Sequence, residues 1–405
     1  MSERRAPSST ASWVLRRRRL RTVTACGLVD SLGLSIGWTF FNLYALHTRG
    51  LTEVGAYNGA FFTGVALSAP ATAWLSSRLS GRKLLRSTAV VEAGLRVGSF
   101  VLLVEGARTG LVAVAVTAAG MTAWTGYAGM RSEIASADRR AGALTWYLGA
   151  IASVEGVGAA FAALLPISVG SLRGPTLAAV LVMYAGVLVP TFVVAGGSAV
   201  ERAVGAVSLR SMTRHARAIA GGFAVMLLCS GPTFLAVGLA AKLHGRSAVA
   251  YSALAFLAGS LAAPRLASAL EQRRIPAPLL WPALGAVVAG GWIAAPSSVA
   301  GLVVAQLAAG AALPALEGTI DAAIAGREHG GRVTAGLAWS GASRALGTAA
   351  AVSVAPSLFD WSSVTLTCLG MTGLCIAAGL GGLALQRGKT ARSPATRVTG
   401  ALLSK

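Results

Sequence analysis

Charge is scarce in this 405-residue chain: only 12% of its residues are charged, about half the usual globular share. With 55% hydrophobic residues, a soluble domain would lack the polar surface to cover its core, so composition points to a membrane protein. Acidic residues are scarcer still, 14 against 35 Lys and Arg, which leaves a net charge of +21. That excess by itself would suit nucleic acid, but the basic residues lie between apolar runs and form no basic domain, so no nucleic-acid partner is expected. The four cysteines, Cys26, Cys229, Cys368 and Cys375, all fall within apolar segments without metal-ligand or CxxC spacing. Free buried thiols are expected, and no disulfide framework. Only two asparagines occur, Asn42 and Asn58, few for a sugar site lined with amides. Hydrolytic signatures are absent, with no HExxH and no GxSxG. The stretch GGLALQRGKT (381–390) ends like a phosphate-binding loop, but Leu383 stands where a glycine is required and an apolar run precedes it, not a strand. The expectation is a protein that is not an enzyme, with no cofactor and no metal.

What remains is apolar sequence in long runs. A bilayer core of about 30 Å needs about 20 apolar residues per helix. Twelve such runs lie near 24–46, 53–77, 85–105, 109–132, 142–168, 174–197, 217–241, 247–270, 276–296, 298–324, 332–356 and 361–386. They are too long and continuous for a β-barrel, whose strands alternate over about ten residues. An all-α membrane protein of twelve transmembrane helices follows, because lipid cannot satisfy an open backbone. The polar, basic stretch 198–216 divides the runs six and six. A cytoplasmic N-terminus places most basic residues on the cytoplasmic side, including Arg16 to Arg19, Arg82, Lys83, Arg139 and Arg140, and only Arg49, Arg108, Arg173, Lys242 and Arg246 outside. Both termini are then cytoplasmic. RRRRLR (16–21) could instead head a cleaved signal peptide, but the run after it is span length, holds Asp30 and lacks a small-residue cleavage site.

The two groups of six look duplicated. GWTF at 37–40 recurs as GPTF at 231–234, and at the same offset of 194 Ala56, Tyr57, Phe62 and Pro70 match Ala250, Tyr251, Phe256 and Pro264. Further on the offset falls to 188–189, where Glu133 and Ala135 match Asp321 and Ala323. An even number of helices keeps both copies the same way up, a parallel pseudo-two-fold repeat. The expected organisation is a basic N-terminal segment (1–23), a six-helix bundle (24–197), a central loop (198–216), a second bundle (217–386) and a basic tail (387–405).

Twelve helices, a 6+6 parallel repeat and a basic central loop resemble the major facilitator superfamily of secondary transporters, over about 24–386. WLSSRLSGRKLLR (74–86) is similar to that family's loop signature G-x-L-x-D-R-x-G-R-[RK]. Gly81, Arg82 and Lys83 match its end, whereas Arg78 occupies its Asp position and Trp74 its first Gly. VDSLGLSIGWTFFNLY looks like the start of bacterial drug-exporter-like members, with Asp30 and Gly33 in place. SVEGVGAAFAALLP lacks the glycine-proline run of the drug–proton antiporter branches. The resemblance implies a monomer in the bacterial cytoplasmic (inner) membrane, surrounded by lipid and moving a small molecule.

Ionisable side chains within the runs cost about 2.5–3.5 kcal/mol each on insertion scales, so each needs a partner or a role. Glu155 and Arg344 fall mid-run at equivalent positions. Either the carboxylate binds a proton or a cationic substrate while the guanidinium binds an anionic group, or the two form a permanent buried pair. Asp30, poorly solvated when charged, is either a proton carrier or the partner of Arg131 or another Arg at that end. Glu92 and Arg96, spaced i,i+4, read as a structural pair. Glu133 and Asp321 read as cytoplasmic gate contacts with the basic loops 78–86 and 271–274, in company with Arg82, Lys83, Arg139 and Arg327, or else as solvated helix-end charges. Glu317, one turn before Asp321, is a cavity candidate. Among aromatics, Trp38, Phe41, Trp124, Tyr127 and Trp339 are candidate cavity walls, against interfacial anchoring. Gly33 and Gly37 form a G-x-x-x-G pair that permits close helix approach. The expected function is alternating-access transport, with the proton gradient as energy source and protons as co-partners. Export of an amphipathic drug-like compound or metabolite is favoured over import or a non-transporting, lipid-flipping role.

Overall fold

A computed structural model of the chain describes residues 9–137, 141–198, 216–273, 275–325 and 331–391. Among these the regular structure is entirely helical. The first half contains α1 (Ser9–Arg49), α2 (Leu51–Arg78), α3 (Gly81–Val104), α4 (Thr109–Ala137), α5 (Ala141–Leu164), α6 (Gly174–Ala185) and α7 (Val189–Gly196). The second contains α8 (Ala216–Cys229), α9 (Gly231–Phe234), α10 (Ala236–His244), α11 (Arg246–Gln272), α12 (Ala277–Gly291), α13 (Val299–Ala325), α14 (Gly331–Trp361) and α15 (Val364–Ala391). Among the described residues, eight helical segments are long and apolar enough to cross a membrane, and 149–164 and 216–229 are apolar but shorter.

Two expected runs are interrupted, each where a proline removes a backbone donor. The run near 174–197 breaks into α6 and α7 around a 3₁₀ turn, Gly186–Leu188, just before Pro190. The run near 217–241 breaks into α8, α9 and α10 at Ser230 and Leu235, on either side of Pro232. In contrast, α1 extends past its expected start, because Arg16 to Arg21 are good helix formers and nothing there stops the helix.

The repeat is visible in the packing. Gly50 and Gly245, 195 positions apart, hold the left-handed φ values (+88° and +85°) that turn α1 into α2 and α10 into α11. A Cβ at Gly64 of α2 would strike the Thr117 carbonyl of α4, and one at Gly259 of α11 would strike the Leu307 carbonyl of α13. Gly120 and Gly310 return the contact against the carbonyls of Phe61 and Phe256. Phe256 therefore corresponds to Phe61, one residue from the match to Phe62 that the letters suggest. The first helix of each half is set further out of step. Gly158 of α5 approaches the Leu32 carbonyl and Gly347 of α14 the Phe223 carbonyl, 191 positions apart. The interrupted α8–α10 takes up the four extra residues. Consequently GWTF and GPTF do not occupy equivalent contacts: Gly37 lies against Tyr184 of α6, and Gly231 against Ala351 and Ala355 of α14. Gly33 joins Gly37 on that side, at Met183 of α6 and Val187 of the 3₁₀ turn after it, as the G-x-x-x-G spacing permits.

The halves meet through α2 with α14 and α5 with α11. Gly55 and Gly59 of α2 let the Val352 carbonyl, Pro356 and Ser353 of α14 approach closely, and Gly156 of α5 does the same for Ala253 and Leu257 of α11. The two faces of the molecule differ. On the face holding the 49–51, 104–109, 244–246 and 291–299 turns, one apolar core spans both halves, from Phe40, Leu51 and Val54 to Leu235, Leu239, Val249 and Val352. Toward the opposite face the core divides. Val23, Leu85, Ile134, Tyr147 and Val194 cluster in the first half, and Met226, Trp281, Leu284, Leu316 and Ile324 in the second.

Candidate functional site

Where the core divides, side chains from α1, α3, α4 and α5 enclose a cavity of about 140 Å³. Its charged lining is Asp30 of α1, Glu92 of α3 and Glu155 of α5, and its aromatic wall is Trp124 and Tyr127 of α4. Arg96, 1% exposed, stands behind it. Its guanidinium donates to Glu92 one turn earlier, to Asp30 Oδ1 at 2.8 Å and to the Tyr184 carbonyl at 2.8 Å, and it lies 5.4 Å from the Tyr184 ring centroid. One guanidinium thus serves two carboxylates. Glu92–Arg96 is the structural pair expected from i,i+4 spacing, but it is not isolated in its helix. It reaches across to α1, and the partner of Asp30 is Arg96, not Arg131 or another Arg at that helix end.

Glu155 accepts a hydrogen bond only at its backbone carbonyl, from Ser35 Oγ at 2.5 Å. Among the described residues, no hydrogen bond or ion pair holds its carboxylate. Gly158 of α5 and Gly347 of α14 make matching backbone approaches to α1 and α8, and Glu155 and Arg344 stand three residues before them, so their equivalence holds in the packing. The two do not pair. Arg344 instead donates to Asp321 of α13 at 2.6 Å and 3.3 Å and to Ser340 Oγ at 2.9 Å. Asp321, expected at a gate, therefore binds within its own half. Glu317, one turn earlier, lies within electrostatic reach of Arg344 and, with Glu155, of the Tyr127 hydroxyl.

Glu133 is likewise bound within its half. Its carboxylate accepts from Arg19 of α1 at 2.6 Å and from Ser198, and Arg19 also donates to the Val194 carbonyl at 2.8 Å. Arg82 donates to the Gly196 carbonyl at 2.7 Å, next to that cluster, and Lys83 is exposed. Arg139 and Arg327 lie outside the described residues. On the opposite face a residue singled out only for topology links the halves. Arg246, first residue of α11, donates to the Ala162 carbonyl in the last turn of α5 at 2.9 Å and to the Ile167 carbonyl just past that helix, above the Phe40 ring.

The aromatic candidates separate. Trp124 and Tyr127 line the cavity, with ring centroids 5.6 Å apart, and Tyr127 stacks on Tyr147 at 6.0 Å. Phe41 is fully buried among Trp38, Tyr57 and Phe100, so it is core. Trp38 is half-buried against Phe41 and Phe61. Trp339 is half-buried with an unpaired indole N–H. Asn42 and Asn58 bond to each other across α1 and α2 at 2.6 Å, so they tie helices together and line no site. Arg19 and Arg246 carried no sequence signal beyond their charge, because their partners are carbonyls or lie more than a hundred residues away.

No protein-family model matches the chain, and no curated protein matches it in sequence. Solved structures do match. A nucleoside transporter, NupG, is 12% identical with a TM-score of 0.68, covering 91% of this chain and 99% of its own. A bacterial homologue of the human drug peptide transporters PepT1 and PepT2 is 13% identical with a TM-score of 0.63, covering 93% and 99%. A bacterial homologue of the iron transporter ferroportin, in an outward-facing state, is 16% identical with a TM-score of 0.60, covering 90% and 99%.

Proposed function

We propose that this chain, which has the major facilitator fold, is a secondary transporter that moves a small organic molecule across a membrane by alternating access. The observation that carries the reading is the asymmetry of the two faces. A single core closes one side, the core divides on the other, and a carboxylate-lined cavity lies among α1, α3, α4 and α5 of the first half. Two bundles, 24–197 and 217–386, rock about α2–α14 and α5–α11, where glycines allow backbone to slide on backbone. Twelve crossings, with both termini cytoplasmic in a bacterial inner membrane, fit the arginine distribution. The divided face is then cytoplasmic, and the Arg246 contacts close the outside.

Coupling to protons is assigned to Glu155 first and Asp30 second. A carboxylate with no fixed partner can exchange a proton for cargo, whereas one shared with Arg96 can be released when Arg96 turns to Glu92 alone. Export of an amphipathic compound follows from a cavity walled by aromatic rings with no amide side chain among its lining. Purified protein in proteoliposomes with an imposed proton gradient tests this reading. Saturable, gradient-driven accumulation of a compound from an amphipathic panel supports it. Identical uptake with and without protein across the panel refutes it.

A further inference from the structure

We infer that the groove between α11 and α12 is a binding site for an anionic phospholipid, with an acyl chain in the groove and the phosphate at Arg273. The inference rests on these helices spanning a membrane, and not on what the protein carries. α11 and α12 each pack along α13 but scarcely touch one another, so they diverge from the 273–276 turn on the divided face. The space between them is a cavity of about 470 Å³. Leu266 and Leu270 of α11, Leu279 and Val287 of α12 and Ala311 of α13 line it, and no polar side chain does. All three segments are long and apolar enough to cross a membrane. The ten residues from Ala277 to Val287 rise about 15 Å, half of a hydrocarbon core of about 30 Å. The groove is therefore one leaflet deep, the reach of a single lipid's chain from the membrane surface.

Charge at the mouth selects the head group. Leu266, Leu270 and Arg273 are spaced i, i+4 and i+7, so they share a face of α11, and Ile275 just beyond lines the groove again. Arg273 is exposed, and among the described residues it makes no ion pair or side-chain hydrogen bond. The first half differs at the equivalent place. Arg78 stands 195 positions before Arg273, the spacing of Phe61 and Phe256, and its guanidinium lies 4.2 Å from the Trp74 ring centroid. Ala269 replaces that ring in the second half, which leaves Arg273 unengaged. α12 starts at the same mouth after Pro276 with no side chain capping it, so the positive end of its dipole lies there too. Arg265, two turns deeper on α11, is exposed, and its long side chain can reach toward the surface. Glu271 is exposed but falls off the face shared by Leu266, Leu270 and Arg273. A phosphate is met at this mouth, whereas the choline of a zwitterionic lipid finds no carboxylate on that face.

The full-length protein in nanodiscs of equal phosphatidylglycerol and phosphatidylcholine, with identical acyl chains, tests this. Lipids that stay bound on release from the nanodisc are counted by native mass spectrometry. Retention of phosphatidylglycerol in preference to phosphatidylcholine is expected. Arg273→Gln should lower that preference about fivefold, the contribution of one basic residue at a lipid surface, and Arg273→Lys should keep it. Ala283→Trp, at an exposed position that lines the groove, should displace both lipids, because it fills the apolar space and leaves the arginine in place. Arg86→Gln, exposed near the same end of the first half, should change nothing. Equal retention of the two lipids by the wild type, an unchanged preference in Arg273→Gln, or full retention in Ala283→Trp would overturn the inference. An equal loss in Arg86→Gln would overturn it too, by tracing the preference to net positive charge alone, as would a dimer that carries no lipid. Retained phosphatidylglycerol without flux in proteoliposomes removes the transporter reading and leaves the lipid site. Concentrative flux without any lipid preference does the reverse.

Discussion

Replacing Arg246 with alanine should open the face that the structure holds shut. Its guanidinium spans the halves, giving one hydrogen bond to the Ala162 carbonyl at 2.9 Å and another to the Ile167 carbonyl. Ala162 is in the last turn of α5, where carbonyls lack helical partners and a cation is favoured, and Ile167 lies three residues past the helix end. A hydrogen bond to a charged donor contributes about 1.5–3 kcal/mol when desolvated. Arg246 is only part-buried, and water replaces it when the face opens, so about 1–1.5 kcal/mol per bond is the fair figure. Two bonds give about 2–3 kcal/mol, or about a 30- to 150-fold shift in the ratio of closed to open molecules. Spin labels at Glu105 and Ser297, both exposed in turns of that face, one in each half, report the change as a distance distribution. Arg246→Ala should add a longer-distance population, and Arg246→Lys should restore part of the closed one. An unchanged distribution in Arg246→Ala would refute the lock and show that the apolar core alone holds the face closed.

Arg96→Ala should destabilise by about 3–5 kcal/mol, the usual result of stranding a buried charge, while Asp30→Asn should leave the fold intact because Glu92 still holds Arg96; thermal unfolding in detergent compares the two. Glu155→Gln should fold normally and retain exchange of substrate for substrate while losing proton-driven accumulation, since no arginine depends on it; loss of both activities together would assign it a structural role. Glu133→Ala should cost about 1–3 kcal/mol by freeing Arg19, with the Glu105–Ser297 distances unchanged; a shift in those distances would return Glu133 to a gate. Gly64→Val and Gly259→Val should each sharply lower the folded yield, because the new side chain meets carbonyl backbone that cannot rotate away; normal yield from either would contradict the close helix crossing.

The helical fold was legible from run length and the placement of arginine, because a lipid solvent dictates both. The breaks at Pro190 and Pro232 were less so, because Pro70, Pro264, Pro314 and Pro356 sit inside continuous helices. Whether a proline breaks or merely bends a helix is decided by what re-satisfies the freed carbonyl, which is a tertiary matter. The duplication was readable, but its register was not. Four surplus residues in α8–α10 moved the second copy, and shared letters such as GWTF and GPTF bridged the gap by chance. Of the candidates read from position along the runs, Asp30, Glu155, Trp124 and Tyr127 line the cavity, whereas Arg344 and Glu317 are not among its lining. Pairing could not be read, since Asp30 and Arg96 are 66 positions apart and Arg19 and Glu133 are 114 apart. Side chains at that separation meet only through the packing of helices whose rotation the sequence does not state.

Proton movement tied to cargo movement is the most direct test of the central claim. Proteoliposomes enclosing a pH-sensitive dye would be exposed to a panel of amphipathic cations, neutral compounds and anions, with protein-free liposomes alongside. Transport by alternating access predicts that at least one compound drives saturable, protein-dependent proton flux in the opposite direction, and that Glu155→Gln abolishes this flux at normal expression. Proton and compound fluxes that are the same with and without protein, for every member of the panel, would contradict it.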